Sequence, residues 1–150
     1  MNSAQRGEVA GGRINRVYRR MVRMGEAIDD SSPPEAYHEL RKKGKELRYL
    51  LELFGASLYP DDVVKPMVKA LKALQDVLGQ HQDREVQVAT LRTLRDDVAR
   101  EPGGAAAVMA MGVLVERLAE DERAARQAFA ERFEAFSSKA QRRLVKDTFG

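Results

Sequence analysis

Residues 33–54 read PPEAYHELRKKGKELRYLLELF, and this stretch decides the fold prediction because it sorts its residues by helical face. At about 100° per residue, one arc collects its apolar residues and is predicted to be the buried face of an α-helix. These residues are Leu40, Leu47, Leu51 and Phe54. A neighbouring arc of roughly 80° holds His38, Arg41, Lys45, Arg48 and Glu52, with Tyr49 beside them. Glu39 and Glu46 fall on the other side, so the cations line one edge of the buried face and predict a groove.

The segments on either side of this helix repeat the spacing of an amphipathic helix. The apolar positions are Ile14, Val17, Met21, Met24 and Ile28 before it, and Val64, Met67, Leu71, Leu74 and Leu78 after it. Each segment also carries a basic stripe, formed by Arg16, Arg20 and Arg23 in the first and by Lys65, Lys69 and Lys72 in the second. Two or three such stripes facing one another would make a cationic trough, which suits a linear polyanion.

The second half of the chain is predicted to contain three further helices. Gly79 is expected to end the preceding helix, and Asp83 to cap a fourth helix that runs to about Arg100. The apolar positions of that fourth helix are Val86, Leu91, Leu94 and Val98. The sequence EPGG at 101–104 predicts a break, after which a long helix extends from Ala105 to Phe136. Ser137 and Ser138 are expected to interrupt it before a short basic tail helix.

These patterns predict an all-α protein, because the sequence contains no strand pattern of any strength. We expect an antiparallel four-helix bundle with an additional N-terminal helix and a long C-terminal helix. Residues 1–12 are polar with three glycines and are predicted to be a disordered lead-in. Residues 13–150 are predicted to form a single domain.

Composition limits the kinds of function that the chain can have. It contains no cysteine, which excludes disulfides and cysteine-ligated metal centres, and a reducing cytoplasm is the expected location. Neither a signal-peptide pattern nor an apolar run of the length of a membrane span, about 18 residues, is present. The net charge is only +3. Any binding of an anion must therefore depend on where the basic residues lie.

Enzyme chemistry has little support in the sequence. There is no glycine-rich phosphate-binding motif, and no serine stands in a recognisable catalytic setting. The two histidines, His38 and His81, could hold a metal together with Asp83 and a glutamate only if their segments meet, since no local spacing of metal ligands is present. We therefore expect no catalysis, no cofactor and no metal. A protein that binds the backbone of nucleic acids remains an alternative, and a metal-dependent phosphohydrolase is a weaker one.

Two stretches, HELRKKGKELRYLLELF at 38–54 and LKALQDVLGQHQDREV at 71–86, resemble the CHAD family, the conserved histidine α-helical domain. The resemblance implies a helical fold, typically two related four-helix bundles around a basic channel, and binding of inorganic polyphosphate. Some members of the family are fused to a triphosphate-tunnel enzyme domain. On this chain the resemblance assigns His38, Arg41, Lys45, Arg48 and Tyr49 to the basic binding face, and Asp83 to a structural role.

The histidine motif occurs once here, whereas a full CHAD domain carries it twice. The chain is therefore expected to correspond to one half, most like the C-terminal one, and two copies are expected to pair and close a channel. The function predicted from the resemblance and the charge pattern is non-enzymatic binding of polyphosphate, for targeting or regulation at polyphosphate granules. The predicted binding residues are His38, Arg41, Lys45, Arg48, Tyr49, Arg16, Arg20, Arg23, Lys65, Lys69 and Lys72.

Overall fold

The computed structural model describes residues 2–150, and within that range all regular secondary structure is helical. The helices are α1 (Ser3–Glu26), α2 (Pro34–Leu50), α3 (Ala56–Leu58), α4 (Asp61–Ala99), α5 (Gly104–Ser137) and α6 (Lys139–Phe149). A π-helical turn, Leu51–Gly55, joins α2 to α3. The predicted all-α class is confirmed. In the described range, no helix combines the length and the apolar character needed to cross a membrane.

One apolar core is shared by α1, α2, α5 and α6 and by the first half of α4. All five apolar positions predicted for the helix after Pro60 are buried, as are Ile14, Val17 and Met21 of α1. Met24 and Ile28 are partly buried against the same cluster. Tyr18 donates a hydrogen bond to the carbonyl oxygen of Phe136 at 2.7 Å, which ties α1 to the end of α5. The 3-4 spacing in the sequence thus located the core of these helices correctly.

The predicted disordered lead-in over 1–12 is wrong for residues 3–12, which form the first turns of α1. Asn2 caps this helix, since its side chain accepts a hydrogen bond from the Gln5 amide while the Gln5 side chain accepts one from the Asn2 amide. Tyr59 donates a hydrogen bond to the carbonyl oxygen of Gly7 and packs against Gly11. These contacts hold a glycine-rich segment in the helix. Met1 lies outside the described residues.

The end of α2 also differs from the prediction. Leu40, Leu47 and Leu51 are fully buried, but Phe54 is 40% exposed. The reason is the π-helical turn, in which the amide of Ala56 bonds to the carbonyl oxygen of Leu51 five residues earlier. The wider turn changes the directions of the side chains within it from those of an α-helix, so that Phe54 leaves the core face.

The predicted break between a third and a fourth helix is wrong, because α4 is one helix of 39 residues. Gly79 lies inside it, against the side chain of Arg41, and does not end a helix. Asp83 is an exposed residue within α4 and caps nothing. Beyond this point α4 leaves the core. Val86 is 57% exposed and Leu94 47% exposed, although both were predicted to be buried.

The long helices α4 and α5 form an antiparallel hairpin whose far end extends beyond the core. Its turn lies at the predicted EPGG break. Gly103 has a φ angle of 76°, in the left-handed region that favours glycine. A side chain at Gly104 would lie 2.3 Å from the carbonyl oxygen of Val98, which explains why glycine is needed there too. Ser138 follows the last residue of α5 and caps α6. The interruption predicted at Ser137 and Ser138 is therefore present.

Candidate anion-binding site

The basic residues of α2 lie beside its buried face, on the side of the helix that is next to α4. Tyr37, Leu40, Gly44 and Leu47 are the buried residues of α2. The basic arc is about 100° from the centre of this face, on the side where α4 packs. Arg41 donates from Nη1 to Oε1 of Gln82 on α4 at 3.1 Å. It also passes over Gly79, where an added Cβ would lie 3.8 Å from the guanidinium.

The register of α2 and α4 gives the level of each lysine of α4 along α2. The contacts of Gly44 with Gln75 and of Gly55 with Val64 run in opposite chain directions, so the two helices are antiparallel. This register places Lys72 near the level of Tyr49, with Lys69 and Lys65 one and two turns further along. From the level of His38 to that of Lys65, which this register sets at Phe54, the surface of the two helices spans about 24 Å. We call this surface the α2–α4 groove; its residues are His38, Arg41, Lys45, Arg48, Tyr49, Lys65, Lys69 and Lys72.

Acidic residues partly neutralise the cations of the α2–α4 groove. Arg48 is paired with Glu52 at 2.9 Å, and this hydrogen bond raises the pKa of Arg48, with a smaller contribution from the field of Asp76. Lys65 approaches Asp61 at 3.7 Å. Four cations have no carboxylate within ion-pair distance among residues 2–150, and they stay available to an anion. They are Arg41, Lys45, Lys69 and Lys72.

Two hydrogen-bonding side chains lie at the edges of the groove. Tyr49 is 60% exposed, so its hydroxyl is accessible beside the cations. His38 is also exposed and borders a cavity of about 270 Å³ between α2 and α4. Glu35, Glu85 and His81 line the same cavity. The cations therefore lie on the Arg41 side of His38, and two carboxylates lie on its other side.

The arginine stripe of α1, formed by Arg16, Arg20 and Arg23, is not part of this groove. Helix α1 packs on the opposite side of α2, where Arg13 pairs with Glu46 at 2.6 Å. Lys43 pairs with the same carboxylate at 2.9 Å. Glu39 is exposed, Glu46 is half-buried at the contact with α1, and both lie on the side of α2 away from the basic arc. The predicted stripes of α2 and α4 thus lie on two neighbouring helices, and the stripe of α1 lies on the other side of α2.

The sequence analysis named His81 only as a conditional metal ligand, and the structure buries it. His81 is 2% exposed and stacks on the ring of Tyr37 with centroids 4.1 Å apart. Its Nε2 is 3.4 Å from Oε1 of Glu122, without the alignment of a hydrogen bond. Burial lowers the pKa of His81, and Arg126 acts in the same direction, while Glu122 opposes them. The pKa of His81 is lowered overall, because the misaligned contact with Glu122 compensates poorly for burial. The signal was present in the sequence, since His81 follows Leu74 and Leu78 at helical core spacing.

The predicted alternative of a metal site requires the two histidines and carboxylates to converge. Among residues 2–150 no group of three or more histidine, aspartate or glutamate side chains has a geometry that could hold a metal ion. His81 faces Tyr37 and Glu122, whereas Asp83 is exposed beside Arg41 and Arg84.

A family model for the CHAD domain matches residues 2–92 of the chain. The matched region contains α1, α2 and the part of α4 that contacts α2. A comparison with curated proteins finds no match. The CHAD domain is known generally as a polyphosphate-related domain. Since the match covers more than half of the 150 residues, the chain belongs to the CHAD domain family.

Proposed function

We propose that the chain is a non-enzymatic module that binds inorganic polyphosphate along the α2–α4 groove. The observation that carries this proposal is the line of basic residues along two antiparallel helices. Arg41, Lys45, Lys69 and Lys72 are free of carboxylate partners in the described part of the chain. A linear chain of phosphates can contact such a line at successive points, whereas a single phosphate would use only one or two of its cations.

Binding in this groove is electrostatic. Arginine offers paired N–H donors to phosphate oxygens, and lysine acts as a mobile point charge. Neutralising several phosphates at once releases their counterions, so the affinity falls steeply with salt. Tyr49 and His38 add hydrogen bonds at the edges of the groove. Nothing in this mechanism requires a nucleophile or a metal ion.

The test is charge reversal in α2. The variant Arg41→Glu/Lys45→Glu/Arg48→Glu should bind long-chain polyphosphate about a hundredfold or more weakly, since a charged hydrogen bond contributes about 1.5–3 kcal/mol. The α-helical circular dichroism signal should persist, because these residues lie outside the core. The matched control is Arg92→Glu/Arg95→Glu/Arg117→Glu on the far part of the α4–α5 hairpin. Equal binding by the groove variant and the control would refute the assignment.

Competition with DNA or RNA distinguishes polyphosphate binding from general binding to nucleic-acid backbones. The groove presents one exposed aromatic side chain, Tyr49, and so has little surface on which bases could stack. Polyphosphate should therefore remain bound when DNA or RNA is added at equal charge concentration. Displacement by either nucleic acid would favour the alternative function.

Recruitment to polyphosphate granules and pairing of two copies extend the proposal. Residues 104–115 carry no charge, and Met109 is 76% exposed in this stretch, which offers an apolar surface for a contact between copies. Two paired copies could place their grooves across one channel. Light scattering with and without polyphosphate tests the pairing, and a monomer under both conditions would rule it out.

A further inference from the structure

Helices α1 and α6 face each other across an open cavity of about 570 Å³, well away from the α2–α4 groove. The cavity is lined by Asn15, Tyr18, Arg19, Val22, Arg23, Glu26, Arg142, Lys146 and Gly150. Both helices are fixed by buried residues, Tyr18 and Val22 on α1 and Val145 and Phe149 on α6. The side chains that border the cavity therefore project from a firmly packed framework.

The charges around this cavity are strongly unbalanced. Four side chains are cationic, and Glu26 is the one carboxylate side chain that lines it. Glu26 lies 3.5 Å from Arg142 and compensates that residue. Arg19, Arg23 and Lys146 form no ion pair with any residue from 2 to 150. Three positive charges that form no ion pair with a described residue, from two helices, thus border one cavity.

Folding alone does not account for this arrangement. Arg19 and Arg23 are four residues apart on α1, and Arg142 and Lys146 are four residues apart on α6. Like charges at that spacing repel each other and destabilise a helix. The helix dipole favours Arg23 and Lys146, which lie in the last turns of their helices. It does not favour a second cation four residues earlier in each helix.

We propose that the α1–α6 cavity is a second anion-binding site, and that it takes a compact phosphate anion with several charges. Arg19 and Arg23 contact phosphate oxygens from one side and Lys146 from the other, and Asn15 is placed to donate from its amide. The cations surround a cavity and do not follow a line, so a short oligophosphate fits better than an extended chain. Helix α6 lies beyond residues 2–92, which match the CHAD family, so the site depends on a part of this chain outside the match.

Tripolyphosphate is the probe for this site, with binding measured by isothermal titration calorimetry. The variant Arg19→Gln/Lys146→Gln should bind it at least about tenfold more weakly, because each lost charged hydrogen bond is worth 1.5 kcal/mol or more, roughly a factor of ten. Both side chains are exposed, so the thermal unfolding midpoint should not change. The control Arg95→Gln/Arg143→Gln removes the same charge from exposed positions outside the cavity and should bind normally.

The test of the α1–α6 cavity can be distinguished from the test of the α2–α4 groove. The groove variant Arg41→Glu/Lys45→Glu/Arg48→Glu should keep its affinity for tripolyphosphate at the α1–α6 cavity, and Arg19→Gln/Lys146→Gln should keep its affinity for long-chain polyphosphate. The inference is overturned if the wild-type chain does not bind tripolyphosphate, or if Arg19→Gln/Lys146→Gln binds it as the wild type does. An equal loss in the variant and in the Arg95→Gln/Arg143→Gln control would also overturn it, since the effect would then reflect net charge alone.

Discussion

The salt dependence of polyphosphate binding should distinguish the lysine stripe of α4 from the arginine stripe of α1. For a single-stranded polyanion, each neutralised phosphate contributes about 0.7 to the slope of log affinity against log salt. The four free cations of the groove then give a slope of about −2.8, which corresponds to a loss of roughly fiftyfold between about 50 and 200 mM salt.

The perturbation is the double variant Lys69→Gln/Lys72→Gln. Loss of two contacts should reduce the slope to about −1.4, and the affinity should then fall only about sevenfold over the same range of salt. The comparison variant is Arg16→Gln/Arg20→Gln, which removes the same charge from α1. Because that stripe is on α1, on the other side of α2 from the groove, the slope of this variant should remain near −2.8.

Fluorescence anisotropy of end-labelled long-chain polyphosphate, titrated at several salt concentrations, measures both slopes. The reasoning fails if the arginine variant loses as much slope as the lysine variant. That result would mean that polyphosphate contacts all three helices, as the sequence alone suggested. An unchanged slope in the lysine variant would remove α4 from the binding site.

Two further predictions concern stability. Burial lowers the pKa of His81 in the folded chain. As pH falls, the unfolded chain therefore protonates His81 first, near the ordinary histidine pKa of about 6.5, and the folded chain does so only at lower pH. The contribution of neutral His81 to the free energy of unfolding should be fully present above that pH and should decrease as pH falls toward the lower pKa of the folded state. In urea unfolding at pH 7.5 and 5.5, the wild type should lose more stability than His81→Phe, which keeps a ring on Tyr37; an equal loss would contradict the buried neutral state. Gly25→Ala should destabilise by about 2 kcal/mol, because the new Cβ would lie 2.0 Å from the ring of Phe133. If Gly25→Ala instead stabilises the protein by up to about 1 kcal/mol through helix propensity, α1 and α5 must be further apart at this point than the structure shows.

The sequence predicted the helical class and most of the core, because amphipathic spacing reports directly on burial. It failed where a local signal competes with tertiary packing. Gly79 resembles the end of a helix, but it lies within α4 beside Arg41, and the helix continues through it. The glycines before Arg13 resemble a flexible segment, but Gly11 packs against Tyr59. The π-helical turn after Leu50 has no simple pattern in the sequence, so the exposure of Phe54 could not be predicted.

The candidate site was predicted in composition and only partly in geometry. The 3-4 spacing identified each basic stripe, since residues three and four apart share a helix face. It could not show which helices become neighbours. The hydrogen bond between Arg41 and Gln82 joins α2 to α4, while the ion pair between Arg13 and Glu46 places α1 on the other side of α2. The α1–α6 cavity depends on contacts between the two ends of the chain, which no local pattern reports.

Chemical-shift mapping with ¹⁵N-labelled protein tests the central claim most directly. Addition of long-chain polyphosphate should shift or broaden the amide signals of α2 between His38 and Tyr49, and those of α4 between Lys65 and Gly79. Signals of α1 around Arg16 and Arg20 should stay in place. Perturbations confined to α1 and α6, or an absence of perturbation at Arg41, Lys45 and Lys72, would contradict binding in the α2–α4 groove.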